Sequence, residues 1–263
     1  ITSATLACFS PGASTAEILF TGTAAQTARF QTITGSIDFN INHTGTGVSL
    51  LSNATANRFL FTQGRFFING NTLTINNAVS YPSPGTGALG GSSSSNLTMG
   101  LSGAAGELRF TPGFRTLKDL TQLAGNQASL GTELAITAGA NAGRDSLGIG
   151  ASLETNDNLI LRSDDWGTAR IARIPVNGSG VALATITEKV TVERHLPMTT
   201  TSGARRWRLL TAPFTSTSSP TINEAWQGGV SNPDRNNPAA FDPRPGYGTH
   251  ITKSTAWAAD GYD

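Results

Sequence analysis

The sequence is poor in charge, and this limits the partners that electrostatic attraction could recruit. Charged side chains make up only 13% of the 263 residues, and the formal net charge is +1. Proteins that bind nucleic acid or an anionic membrane surface normally carry a basic patch or stripe. The composition therefore argues against nucleic acid as a partner and against electrostatic attachment to a membrane.

Cysteine and long apolar runs are also scarce. Cys8 is the only cysteine, so no disulfide can form within the chain, and we expect Cys8 to be a small buried apolar residue. No apolar run reaches the roughly 20 residues of a membrane-spanning helix. The start at Ile1, without a signal peptide, indicates a processed secreted protein or an internal piece of a larger one.

Motifs typical of catalytic, metal or cofactor sites are equally few. His43, His195 and His250 lie far apart, without the spacing of metal ligands. Neither a Gly-x-Ser-x-Gly nucleophile elbow nor a phosphate-binding loop occurs, and the glycine-rich residues 85–91 lack a strand-to-helix context. Because no active site can be assembled from these residues, we predict a protein without enzymatic activity and without a cofactor.

What the sequence does contain is a repeat of very short strands. Three to five residues alternate between apolar and polar, and Gly, Asn, Ser or Pro separates each strand from the next. Leucines at the centres of the clearest strands recur at about 25 residues. Leu73 and Leu97 are 24 apart, and Leu108, Leu134 and Leu159 follow one another at 26 and 25.

This spacing predicts an all-β fold, a right-handed parallel β-helix whose coils each contribute two or three strands and stack on one another. The most helix-like stretch, residues 116–123, fits another pair of strands better. A β-sandwich is the alternative, but the strands are too short and too evenly spaced for it. The side chains expected to point inward are Leu73, Ile75, Leu97, Met99, Leu108, Phe110, Leu134, Ile136, Leu159 and Leu161.

The alternating segments become longer after Pro175, and this indicates a second module. We predict that residues 1–26 form a cap or the end of a preceding module, and that residues 27–186 form the β-helix. Residues 187–263 are predicted to be a smaller β-rich module, incomplete at its C-terminal end. The alternating residues 184–194 are expected to form a longer strand that covers the open end of the last coil, so that the module caps the solenoid.

Several phrases resemble the repetitive β-helical surface proteins of Bacteroidota. The repeats carry "NGNTLTIN", "GSSSSNLTMG" and "LETNDNLILRSDDWGTARIARI", and the following module carries "VTVERHLP", "RRWRLLTAPF", "TINEAWQGG" and "PGYGTHIT". The resemblance covers about residues 60–263. It implies a large extracellular protein at the bacterial cell surface, exported by the type IX secretion machinery. Surface glycans, or other copies of the protein itself, are the partners it implies.

Two groups of residues are candidates for binding. Asp164 and Asp165 are the only adjacent carboxylates, and with Asp157 they could form a structural calcium site, although a turn between coils is the simpler interpretation. A second group could stack on sugars or clamp an anion, although a Trp packed beneath arginine stems is the simpler account. That group contains Arg205, Arg206, Trp207 and Arg208.

The function expected from these features is that of a secreted, adhesin-like structural protein that presents a stiff β-solenoid and has no catalytic role. One alternative is a subunit of an extracellular filament or sheath, because solenoid ends and strand edges pair readily unless they are capped. The other is a carbohydrate-active β-helix enzyme, in which Arg162 or Arg170 would supply the base or a substrate clamp.

Overall fold

The computed structural model describes residues 16–30, 36–82, 86–100, 103–139 and 142–195, all within the compact unit Ile1–Met198. These residues contain 22 strands and no helix. Each strand is only two to seven residues long, and every pairing between named strands is parallel. The strands form the three faces of a solenoid.

The first face consists of two four-stranded sheets, which continue one another because β9 lies beside β12. The first sheet contains β1 (Ala16–Gly22), β3 (Ile37–His43), β6 (Phe59–Gln63) and β9 (Val79–Ser80). The second sheet contains β12 (Gly103–Leu108), β15 (Asn126–Leu130), β18 (Ser152–Glu154) and β21 (Thr185–Thr187).

The second face also consists of two sheets, and a parallel bridge between Leu89 and Phe110 continues the first of them into the next coil. The first sheet contains β2 (Gln26–Ala28), β4 (Val48–Leu50), β7 (Arg65–Phe67) and β10 (Ala88–Gly90). The second contains β13 (Thr116–Leu117), β16 (Leu134–Ile136), β19 (Leu159–Leu161) and β22 (Val190–Val192).

The third face is one continuous six-stranded sheet. It contains β5 (Ala54–Ala56), β8 (Thr72–Ile75), β11 (Asn96–Met99), β14 (Asp119–Gln122), β17 (Arg144–Leu147) and β20 (Arg170–Ile171). From β3 onward the chain visits the first, second and third face in turn, so β3–β5 to β18–β20 make six complete coils. The predicted parallel β-helix is therefore confirmed, and the pair of strands predicted in residues 116–123 is present as β13 and β14.

The core is a set of apolar ladders that run from coil to coil. All ten side chains predicted to point inward are buried, none more than 4% exposed. Leu73 pairs with Leu97 and Leu134 pairs with Leu159, as the spacing predicts. Because one coil alone buries little apolar surface, it is this stacking that stabilises each coil.

One predicted ladder is wrong. Leu108 lies on the first face and pairs with Leu130, whereas Leu134 lies on the second face. The 26-residue spacing between Leu108 and Leu134 therefore joins two different faces. Because every face carries leucines at similar spacing, distance along the sequence alone does not assign a leucine to its face.

Asparagine side chains fasten the corners of successive coils. The Nδ2 groups of Asn71, Asn126 and Asn158 donate to carbonyl oxygens of the preceding level at 2.9, 3.2 and 3.2 Å. A tight turn leaves backbone groups without ladder partners, and an amide side chain supplies the missing donor. The Asn-rich punctuation of the sequence thus has a direct structural cause.

The two ends of the solenoid differ from the prediction. Within the segment predicted as an N-terminal cap, β1 already pairs with β3 in register over seven residues, and residues 1–15 lie outside the described part. Residues 184–194 are not one longer strand, because β21 and β22 are separated by a corner at Glu188, whose φ is 67°. They pair with β18 and β19, so the ladder continues past residue 186. The alternation of apolar and polar residues persists across this corner and hides it in the sequence.

Candidate binding surface

The three aspartates predicted as a calcium site engage three different partners. Asp157 Oδ1 accepts the backbone amide of Lys189 at 2.9 Å, and Asp157 Oδ2 lies 3.4 Å from Lys189 Nζ. The amide hydrogen bond is the main cause of a lowered Asp157 pKa, and the ammonium charge adds to it. Asp157 also adopts φ 61°, a left-handed conformation that an Asp tolerates in a turn.

The Asp164-Asp165-Trp166 stretch forms a turn between coils. Asp164 Oδ1 accepts the amides of Trp166 and Gly167 at 2.9 and 3.0 Å, and an antiparallel bridge joins Ser163 to Thr168. Asp165 Oδ1 lies 3.1 Å from His195 Nδ1. Asp164 is thus the hydrogen-bonding acceptor that shapes the turn, which agrees with the simpler interpretation of the sequence.

The arginines considered for a catalytic role are separated as well. Arg162 forms an ion pair with Glu193, and Arg170 lies exposed beside Arg144 in the third face. Among the described residues, no group of three or more His, Cys, Asp or Glu side chains could hold a metal ion. The group Arg205, Arg206, Trp207 and Arg208 lies outside the residues that the structure describes.

The Asp145 carboxyl group lies inside the core. It is fully buried between Leu120 and Ile171 on the inner side of the third face, and among the described residues neither of its oxygens has a hydrogen-bond partner of ordinary geometry. Burial raises its pKa to about 7, and an interaction with the Ser146 backbone opposes part of this rise. The alternation in "RDSL" places Asp145 on the same face as buried Leu147, but a carboxylate is normally exposed, and the sequence analysis therefore missed this residue.

The most regular surface of the solenoid is the outer side of the third face. Its central outward positions carry a hydroxyl group in five consecutive coils, and we name this set the hydroxyl column. Each member pairs in register with the next. The column contains Thr55, Thr74, Thr98, Thr121 and Ser146.

The hydroxyl column follows from the strand sequences. In "TLTI" and "NLTM" the apolar second and fourth residues are buried, so the third residue faces outward. Threonine suits such a position because its branched side chain packs well on a pleated sheet. With strands about 4.8 Å apart, the five hydroxyl positions span roughly 19 Å. This surface could have been predicted from the alternation of apolar and hydroxyl-bearing residues in the short strand sequences.

The outward positions next to the hydroxyl column differ in charge between the two halves of the third face. On the side of β8 and β11 the neighbouring outward residues are Thr72 and Asn96, which are uncharged. On the side of β14, β17 and β20 they are Asp119, Arg144 and Arg170, with Asp119 accepting the Arg144 amide at 3.0 Å. We call the part of the face around Thr72 and Asn96 the neutral half, because these described outward side chains carry no charge.

Comparisons with known proteins do not indicate a function for this chain. No protein-family model matches the chain, and no curated protein or solved structure is significantly similar to it. In the part of the chain that the structure describes, no helix is long and apolar enough to cross a membrane.

Proposed function

We propose that this protein is an extracellular structural component of the bacterial cell surface, adhesin-like, which presents a stiff β-solenoid and has no catalytic role. The observation that carries the proposal is the continuous stacking of coils on one apolar core. A stacked coil contacts only its neighbours, and the repetition builds an extended surface rather than a pocket.

Stiffness follows from how the described coils are held together. Every named strand pairs in parallel with the strand above or below it, and the buried ladders extend through all six complete coils. At about 4.8 Å per coil, the eight levels from β1 to β22 extend roughly 35 Å. Such a unit can hold a binding surface away from whatever anchors it.

A non-catalytic role is supported by the way charged groups are used in the described residues. Asp157, Asp165 and Glu193 each pair with a different basic side chain, and all three pairs tie together successive coils or turns. Catalysis by an acid and a base needs titratable groups that converge on one reacting atom. The resemblance of the repeats to Bacteroidota surface proteins supports the same proposal and the type IX route of export.

The proposal is tested on cells that produce the protein. A short epitope tag is inserted at Gly178 in the exposed turn, and intact cells are labelled with the tag antibody before and after mild treatment with an external protease. We expect labelling of intact cells and its loss after protease. A tag that is detected only after the cells are lysed would contradict surface exposure.

The non-catalytic part of the proposal has its own measurement. The full chain is incubated with polygalacturonate and with neutral polysaccharides, and reducing ends and unsaturated products are quantified. We expect no turnover. Cleavage that Asp165→Asn abolishes would replace the scaffold proposal with the carbohydrate-active enzyme.

A further inference from the structure

We propose that the hydroxyl column binds a neutral, linear polysaccharide that lies along the solenoid axis. This inference rests on the proposed function and specifies the chemistry of its partner. A hydroxyl group both donates and accepts, so a row of threonines can pair with a row of sugar hydroxyls without charge on either side. A polymer is required because the protein groups themselves repeat once per coil.

The hydroxyls at the N-terminal end of the column are free to bind. Among the described residues, the side-chain oxygens of Thr55, Thr74 and Thr98 have no hydrogen-bond partner, and Thr55 is exposed. Farther along, Ser146 already donates to Thr121 Oγ1 at 3.2 Å. The backbone of this sheet is occupied by ladder bonds between strands, so only side chains are available to a ligand on this face.

The chemistry of the neighbouring positions selects an uncharged partner. Thr72 and Asn96 flank the free hydroxyls, and Asn96 Nδ2 lies 3.4 Å from Thr72 Oγ1. Among the described outward residues of β5, β8 and β11 there is no cation that would attract an anionic glycan. We therefore expect binding that changes little with ionic strength, unlike recognition through surface charges.

A second protein molecule fits this face less well. Protein interfaces draw most of their affinity from a few buried Trp, Tyr or Arg side chains. Among the described outward residues of β5, β8 and β11 none is aromatic, and all are Thr or Asn. Affinity on such a surface must come from many equal weak contacts, and a polymer with repeating hydroxyls supplies them.

The test compares binding of the full chain to neutral and anionic polymers. Insoluble glucan, mannan and xylan are each used as neutral probes, and polygalacturonate is the anionic probe. We expect the chain to sediment with at least one neutral polymer, with the bound fraction nearly unchanged between low and high salt. For soluble oligosaccharides of that sugar, affinity should rise with chain length until about 10 Å of ligand covers the three free hydroxyl groups.

Matched variants show whether the hydroxyl column is responsible. The triple variant Thr55→Val, Thr74→Val, Thr98→Val keeps the branched shape and removes three free hydroxyls, and we expect a loss of affinity of about tenfold or more. The same three positions changed to Ser keep the hydroxyls and should retain binding. The control Thr185→Val, Thr187→Val, Thr191→Val removes three outward hydroxyls from the other two faces and should bind like the unchanged chain.

Several results would overturn the inference. These are sedimentation with none of the three neutral polymers, preference for polygalacturonate, or equal losses in the Val variant and its control. Concentration-dependent self-association that only the column variant abolishes would assign the face to a second copy, and shaping of ice crystals would assign it to ice. Each of these leaves the surface-exposure experiment unaffected, so failure of the inference is separable from failure of the proposed function.

Discussion

The two ends of the described solenoid use the same coil geometry with different cores. In the N-terminal coils, Phe39, Phe59, Phe61 and Phe66 form a fully buried cluster, with ring centroids 5.0–6.1 Å apart. Beyond Phe110, the buried apolar side chains of the described residues are aliphatic, and they share the interior with buried polar groups. A coil can therefore be closed by either an aromatic or an aliphatic core. The buried carboxylate of the aromatic coils, Asp38, is paired with Arg58, whereas Asp145 in the aliphatic coils has no such ion pair among the described residues.

Coil length changes together with the core. Phe39 pairs with Phe59 after 20 residues, Leu134 with Leu159 after 25, and Leu159 with Val190 after 31. The added residues form the turn at Asp164 and the bridged loop between Val176 and Ala182. Longer corners leave more backbone outside the ladder, so we expect the C-terminal coils to open before the aromatic ones.

The largest expected effect comes from removing an aromatic ring. Phe59→Ala deletes a side chain that contacts Phe39, Phe61 and Phe66, and the cavity should lower the free energy of unfolding by about 3–5 kcal/mol. Urea denaturation of the purified chain measures it. The matched change Leu159→Ala in the aliphatic core should cost about 2–5 kcal/mol. If Phe59→Ala costs less than Leu159→Ala, the aromatic coils are not the more stable end.

A pH titration of stability should detect the ionisation of the buried Asp145 carboxyl group. Since burial raises the folded-state pKa of Asp145 to about 7, its stabilising effect is complete below the unfolded pKa of 3.8 and is lost as the pH rises to about 7. The loss amounts to roughly 4 kcal/mol for a shift of this size. Asp145→Leu has no carboxyl group to ionise in the core, so it avoids this loss, and its free energy of unfolding at neutral pH should exceed that of the unchanged chain by a few kcal/mol.

The measurement is a difference between two pH profiles. Unfolding free energies of the unchanged chain and of Asp145→Leu are compared from pH 4 to pH 8, so that contributions from the other carboxylates cancel. We expect the gap between the two proteins to widen as the pH rises. A constant gap would mean that Asp145 does not titrate in this range.

A smaller effect is expected at the polar corner of the aliphatic coils. Asn126 is fully buried, donates to the Gly100 carbonyl at 3.2 Å and accepts Gln122 Nε2 at 3.2 Å. Asn126→Ala leaves those groups without this partner and should lower the free energy of unfolding by about 1–3 kcal/mol. Asn71→Ala is the control, since its corner in the aromatic coils is half-buried and water can replace the amide. An equal decrease in the free energy of unfolding for both variants would show that burial does not determine how strongly these hydrogen bonds stabilise the fold.

The core and the repeat could be predicted from the sequence because period-two alternation reports directly which side chains are buried. All ten predicted ladder residues are inside for that reason. The assignment of Leu108 to the ladder of Leu134 failed because the sequence does not record which corner a turn makes. The hydroxyl column was present in "TLTI" and "NLTM", yet only stacking brings Thr74 and Thr98 into one row. Asp145 shares its face with Leu147, but a carboxylate at an inward position runs against the usual exposure of aspartate, so the alternation alone was not enough to predict its burial.

The smallest effect is expected at Asp157, in the C-terminal coils. Its carboxylate accepts the Lys189 amide and faces the Lys189 ammonium group, which lowers its pKa, so this contribution exists at neutral pH and is lost as the pH falls below about 4. Asp157→Asn keeps an oxygen for the amide and tolerates the left-handed backbone, and it removes only the charge. Because the group is exposed, we expect a slight decrease in melting temperature at pH 7 and low salt, and a smaller one at pH 3. Paired scanning calorimetry at the two pH values measures the difference, and Asp119→Asn is a comparison on the third face. A decrease that is equally large at both pH values would mean that Asp157 acts through the shape of its turn and not through its charge.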